Sequence, residues 1–306
     1  MIEIEELTKR YGKTVAVDGL SFTVRPGHVT GFLGPNGAGK STTMRMIVGL
    51  DHPTAGTATV GGRRYRDHAA PLRQVGALLE AKAFHRARSA RNHLLALAQT
   101  HGMPPKRVDE VLAMVGLEQV GRRRAGGFSL GMAQRLGIAA ALLGDPAAVV
   151  LDEPVNGLDP DGVLWVRTLL KTLAAQGRTV LVSSHLMSEM AVTADRLVII
   201  GRGRLLADTG VGELIARIAV GSVLVRSPQA TDLRDLLVGQ GATVTSAEPG
   251  VLQVDGLPAA RIADLAADRG VVLYELTPQR ASLEQAYMEL TRDAVQYRDE
   301  ERVMSS

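Results

Sequence analysis

Three observations predict an α/β fold followed by a smaller α+β unit. Short apolar runs at 28–33, 147–151 and 179–183, bounded by turn residues, read as buried strands separated by helical patterns. The first of them runs directly into a glycine-rich loop and then a helix. Past about residue 220 the sequence changes to short alternating strand and helix units. A chain of 306 residues has room for one large domain and one small one.

Taken in order, residues 2–7 and 20–24 read as strands around a loop that contains Tyr11, and Asp18-Gly19 between apolar segments is a hairpin signal. An aromatic ring beside Gly12 either stacks on a planar ligand or simply packs, and the residue alone leaves both open. The segment 28–33 then leads into Gly34-Pro35-Asn36-Gly37-Ala38-Gly39-Lys40-Ser41-Thr42, which fits G-x-x-x-x-G-K-[ST] in the strand–loop–helix setting that this pattern requires. Glycines let backbone N–H groups turn inward, and a helix N-terminus adds about half a positive charge, so the stretch is a polyphosphate cradle. Lys40 is the candidate for the β- and γ-phosphates, and the Ser41 hydroxyl is a candidate Mg²⁺ ligand.

Residues 51–56 form a turn cluster, and 57–60 and 75–79 read as strands. Glu80 directly follows the second of these, where it either holds a metal-bound water or is a solvated loop acid. From 88 to 143 the periodicity is helical, with one apolar face at Leu94, Leu95, Leu97 and Ala98 and another at Val108, Val111, Leu112 and Val115. The run Arg122-Arg123-Arg124 is too brief to argue for nucleic acid. Ser129 is placed as an N-cap for the helix that follows, a second site for phosphate contact. The apolar strand at 147–151 ends in Asp152-Glu153, paired carboxylates suited to Mg²⁺ binding and to polarising a water. Residues 156–160 form a tight loop with Pro160 in the first turn of the next helix. His185 ends the strand at 179–183 as a candidate γ-phosphate sensor, and 197–200 with 203–206 read as a hairpin.

Bulk composition narrows the function classes. Hydrophobic residues make up 45% of the chain, enough for a sizeable core, while aromatics at 3% leave few stacking platforms for single-stranded nucleic acid. A net charge of +3 does not point to nucleic acid either. The absence of cysteine removes disulfides, thiolate metal sites and cysteine nucleophiles. Met1 leads straight into a strand-like pattern with no signal peptide, and the apolar stretch at 138–143 is far short of a bilayer span. A cytoplasmic chain that docks on a membrane partner is expected.

The order and spacing of these motifs resemble the ATP-binding subunit of ABC transporters over roughly residues 1–215. The resemblance implies a P-loop core of ABC type with an antiparallel β subdomain and a helical subdomain at about 85–143. Tyr11 falls at the A-loop position that stacks on adenine, and Gly34 to Thr42 at Walker A. Ser129, Leu130, Gly131 and Met132 stand at the signature, with Asp152 and Glu153 at Walker B. Gly157, Leu158 and Asp159 match the D-loop, and His185 the switch histidine. Two motifs depart from the usual pattern: in the signature Leu130 and Met132 replace a glycine and a glutamine, and in the Q-loop Glu80 replaces the glutamine. Both variants are similar to the drug and antibiotic exporter type, the daunorubicin- and bacitracin-resistance group.

The resemblance implies ATP and Mg²⁺ as ligands, with Ser41, Asp152 and Glu80 around the metal and Glu153, His185 and Lys40 as the catalytic set. It implies a head-to-tail homodimer in which each signature touches the other copy's ATP. It also implies a permease on a separate chain and a location on the inner face of the membrane, with no nucleic-acid partner. A soluble ABC-type ATPase is the alternative, disfavoured by the single P-loop and the lack of long heptads. Residues 221–292 follow a β-α-β-β-α-β order, a ferredoxin-like pattern similar to the accessory domain of such exporters. Residues 1–220 are then the ATPase domain, and 293–306 a loose tail.

Overall fold

The computed structural model describes residues 1–218, 222–279 and 282–295. They fall into two compact units, one built on Met1–Gly210 and the other on Val211–Leu290.

In the first unit, β1 (Ile2–Tyr11) and β2 (Thr14–Val24) form an antiparallel pair joined by a turn at Gly12-Lys13. Asp18-Gly19, expected to turn the chain, instead lies inside β2, where Gly19 at φ 59° and Glu6 at φ 46° accommodate register shifts in the ladder. The actual turn uses Gly12, whose φ of 59° suits a left-handed position. β3 (Val29–Leu33) follows, then α1 (Lys40–Ile47) and β4 (Ala55–Val60). A short α2 (Pro71–Gln74) precedes β5 (Val75–Leu78). Three helices come next: α3 (Ala90–Thr100), α4 (Pro105–Met114) and α5 (Leu130–Leu142). β6 (Ala148–Leu151), α6 (Pro160–Ala175), β7 (Thr179–Ser183), α7 (Met187–Thr193), β8 (Arg196–Gly201) and β9 (Arg204–Gly210) complete it.

The strands make two sheets. One is antiparallel, in the order β2-β1-β4; the other is six-stranded, in the order β5-β6-β7-β3-β8-β9, and parallel except for the β8–β9 hairpin. Every residue of β3, β6 and β7 is buried, which is why these strands read as continuous apolar runs rather than alternating ones. Phe22 of β2 packs on Phe32 of β3 with ring centroids 5.4 Å apart, and one apolar core joins the two sheets. This packing fixes β3, and hence the loop at its end, against the antiparallel sheet. The loops after β3, β5, β6 and β7 all leave from the carboxyl ends of parallel neighbours, where α/β sheets place their ligands.

The second unit begins with α8 (Val211–Ile218), ten residues before the boundary expected from composition. Then follow β10 (Ser222–Arg226), α9 (Ala230–Val238), β11 (Thr243–Glu248), β12 (Val251–Asp255), α10 (Ala259–Asp268), β13 (Glu275–Gln279) and α11 (Leu283–Val295). The sheet order β11-β12-β10-β13, antiparallel throughout, is the ferredoxin-like one. The last strand starts later than the expected 271. Val271 N donates to Ala266 O (2.9 Å), Val272 N to Gln229 Oε1 (2.8 Å), and Ser227 Oγ to Val272 O (2.7 Å), so these residues are held to helix ends and not to the sheet. Helix α11 reaches Val295, so residues 293–295 of the tail expected at 293–306 are helical, and 296–306 lie outside the described residues.

Candidate functional site

The loop after β3 is shaped by glycines that nothing else can replace. A Cβ on Gly34 would stand 2.5 Å from Ile200 O, and one on Gly39 2.5 Å from Ala16 O; Gly39 also has φ 102°. Gly39 caps α1 with no side chain in the way, which leaves the first N–H groups of the helix facing the loop. Lys40 Nζ folds back on the loop and donates to Gly34 O (2.5 Å) and Pro35 O (3.3 Å). Burial pushes its pKa down, while the charges of Glu153 and Asp152 push it up. Both carboxylates thus act on the same ammonium.

Ser41 Oγ, one residue on, donates to Asp152 Oδ2 at 2.8 Å across 111 residues of sequence. The Ser183 hydroxyl donates to Asp152 Oδ1 in a short bond, and Glu153 N donates to Ser183 Oγ at 2.9 Å. Buried Gln134 on α5 donates from Nε2 to Glu153 O at 2.9 Å. Glu153 sits at φ 50°, a left-handed backbone that costs a residue with a Cβ about 1–2 kcal/mol, and these bonds hold it there. Its Oε2 lies 2.8 Å from His185 Nδ1. The loop after β3, Asp152, Glu153 and His185 therefore form one connected polar cluster.

A hydroxyl and a carboxylate oxygen side by side are hard donors that suit Mg²⁺, an ion commonly held by one or two carboxylates together with substrate phosphates. Glu80 is exposed and lines the same cleft as Ser41 and Asp152, with Phe84, His93 and Leu136 on the other walls. Among the described residues no three His, Cys, Asp or Glu side chains converge as a metal site. Ser41 and Asp152 are therefore the side chains that could hold such an ion together with phosphate oxygens.

Tyr11 is 49% exposed at the end of β1. Its hydroxyl donates to Asp51 Oδ2 (3.0 Å), which also accepts from Arg45 Nε (2.8 Å), and Lys9 Nζ lies 5.0 Å from the ring centroid. The bond from Arg45 holds the Asp51 carboxyl below its ordinary pKa.

Ser129 caps α5 by accepting from Met132 N (3.2 Å) and bonds to no P-loop residue among those described. Leu130, 42% exposed, packs its side chain on Gly157, which has φ 73°, so that a Cβ there would overlap it. A Cβ on Gly131 would meet Leu158 Cδ2 at 3.2 Å. Asp159 caps α6 by accepting from Gly162 N at 2.9 Å. Leu130 and Gly131 therefore lie against Gly157 and Leu158.

Sequence reading missed Gln134, Ser183 and Asp51. Gln134 carried a faint signal, an amide within an apolar helical stretch; Ser183 ended an otherwise apolar strand, and Asp51 looked like an ordinary turn acid.

The family model described as ABC transporter matches residues 17–156, and a domain of unknown function matches 221–284. The bacitracin transport ATP-binding protein BcrA of Bacillus licheniformis is 43% identical over 211 residues, covering 68% of this chain and 69% of that protein. The lantibiotic transport ATP-binding protein SrtF of Streptococcus pyogenes is 35% identical over 210 residues, covering 68% and 90%. A solved ATP-binding subunit of an ABC transporter superposes with a TM-score of 0.65 at 28% identity, covering 71% of this chain and 93% of that one.

Proposed function

The chain belongs to the ABC transporter family of ATP-binding proteins, and from that membership we propose that it hydrolyses ATP to energise export of an antibiotic or lipid-like compound through a separate permease. The observation that carries this reading is the bonded path from Ser41 through Asp152 and Ser183 to Glu153. It ties the phosphate loop to a carboxylate that stands ready to accept a proton from water.

Gly34 to Thr42 wrap the triphosphate, Tyr11 takes the adenine, and Lys40 exchanges its two carbonyl partners for phosphate oxygens. Mg²⁺, when bound by Ser41 and Asp152 and flanked by Glu80, neutralises charge on the phosphates. Glu153 orients and deprotonates the attacking water, and His185 moves between Glu153 and the γ-phosphate. Ser129, Leu130, Gly131 and Met132 serve the P-loop of a second copy, in keeping with their bonding to no P-loop residue among the described residues. Gly157, Leu158 and Asp159 lie against that signature and relay closure across the homodimer. All these residues fall within 1–220, which we assign as the ATPase domain with its helical subdomain at about 85–143; 221–292 is an accessory domain. Among the described residues no helix is long and apolar enough to cross a membrane. The chain works on the inner face of the membrane, held there by the permease.

Measured phosphate release from MgATP tests the proposal. The full chain is expected to turn over, and Lys40→Ala to reduce turnover to background; equal rates for the two would remove the P-loop from the reaction.

A further inference from the structure

Leu130 and Gly131, with Gln134 and Arg135 one turn further on, share a side of helix α5. Leu130 lies on Gly157, Gly131 on Leu158, and Gln134 bonds to Glu153 O. The fourth contact is of another kind. The Arg135 guanidinium carbon stands over the Trp165 ring of α6, 4.3 Å from its centroid. Both residues are partly buried, a setting in which the attraction of a cation to a ring face is strengthened.

The same side chain is anchored at a third helix. Arg135 Nη1 donates to Val115 O at 2.9 Å, the carbonyl that closes α4, where a helix C-terminus carries partial negative charge. Gly116 follows at φ 70°, and a Cβ on it would stand 3.3 Å from Nη1, so the bare backbone there leaves room for the guanidinium. One cation therefore joins α4, α5 and α6. A helix docked at a single point can pivot about it. Contacts at Leu130 and Arg135, about 7.5 Å apart along the axis, fix its direction as well. Gln134 sits beside the second of these contacts, so its amide is aimed at Glu153 O only while that contact holds.

We propose that Arg135, stacked on Trp165, is a positioning residue for ATP hydrolysis: it locks α5 onto α6 and thereby places Gln134 and, through it, the backbone of Glu153. A cation–ring contact biases the docked arrangement by about 2- to 30-fold. The inference rests on hydrolysis of ATP by this chain and not on what is transported.

Trp165 is the only tryptophan of the chain, so its fluorescence reads the contact directly in full-length protein. Arg135→Met keeps most of the side-chain length but removes the charge, and is expected to shift the emission. Its kcat is expected to fall about tenfold while ATP affinity, measured by titration, stays near wild type. Arg135→Lys keeps a cation over the ring and is expected to retain most of the turnover. Trp165→Leu is expected to match Arg135→Met, and the double variant to lose no more than either single one. Hydrogen exchange at the amides of 153–158 is expected to quicken in Arg135→Met and to stay near wild type in Arg135→Lys, with or without nucleotide. Unchanged emission in Arg135→Met would remove the contact, and unchanged kcat and exchange would show that it positions nothing. Exchange raised throughout the chain, with kcat falling only as folded protein is lost, would reduce the pair to packing. A wild-type chain that hydrolyses no ATP, yet shows the local change in exchange, would contradict the enzymatic reading and leave the brace on Glu153 standing.

Discussion

The side-chain amide of Gln134 donates to the main-chain oxygen of Glu153 at 2.9 Å, joining the signature helix to the loop that carries the candidate catalytic acid. The amide is buried and the acceptor belongs to a residue at φ 50°. Gln134 is thereby a positioning residue: it touches no reacting atom but holds the backbone that aims Glu153.

Gln134→Leu removes one of the two donors to that carbonyl, leaving Asn156 N at 3.1 Å, a loss of about 0.5–1.5 kcal/mol. If the strain is relieved by a shift of Glu153, kcat is expected to fall about tenfold or more while ATP affinity, measured by titration, stays near wild type. A lowered melting temperature with kcat unchanged would make Gln134 a packing residue only.

Leu130 and Gly157 are predicted to be coupled. Gly157→Ala places a methyl group in the Leu130 side chain and is expected to lower ATPase activity and stability together. Adding Leu130→Gly removes the overlap and leaves only the left-handed strain of about 1–2 kcal/mol. The double variant is therefore expected to recover much of the loss, with a coupling of about 0.5–3 kcal/mol in a thermal-unfolding cycle. Simple additivity would show that the two do not act as a pair.

The tether on Tyr11 predicts a graded series in ATP affinity. Tyr11→Ala removes the ring and is expected to weaken binding about tenfold, in line with about 1–3 kcal/mol for base stacking. Asp51→Ala keeps the ring but frees it, for a loss of a few-fold; Tyr11→Phe is expected to fall between Asp51→Ala and wild type. Because Arg45 holds the Asp51 carboxyl below its ordinary pKa, the tether is present above that range and is lost only as pH falls through the lowered value. ATP affinity across neutral pH is thus insensitive to the titration of Asp51. An Asp51→Ala variant indistinguishable from wild type would remove the tether from the account.

Metal dependence is expected to run through Asp152. Asp152→Asn keeps groups able to bond Ser41 and Ser183 but removes the charge, and the Mg²⁺ concentration for half-maximal turnover is expected to rise about 10- to 100-fold. Chelation with EDTA is expected to stop hydrolysis in both proteins. An unchanged Mg²⁺ requirement in Asp152→Asn would place the ion elsewhere.

Much of the fold was legible because its signals are local. A wholly buried parallel strand shows as an apolar run, and the close approaches at Gly34 and Gly39 show as glycines. What could not be read is what depends on distant partners. Asp18-Gly19 resembles a turn until the register of β1 and β2 is known. Ser183 looks like the end of an apolar strand until Asp152 and Glu153 are seen on either side of its hydroxyl. Val271 and Val272 have strand composition but spend their backbone bonds on helix ends.

The central claim is a composite site, in which the signature of one copy completes the P-loop of another and Glu153 discharges it. Light scattering of full-length Glu153→Gln tests this most directly, since the variant keeps the side-chain shape and removes the base. With saturating MgATP it is predicted to form a stable dimer that ADP does not support. A protein that stays monomeric with ATP bound would contradict the account.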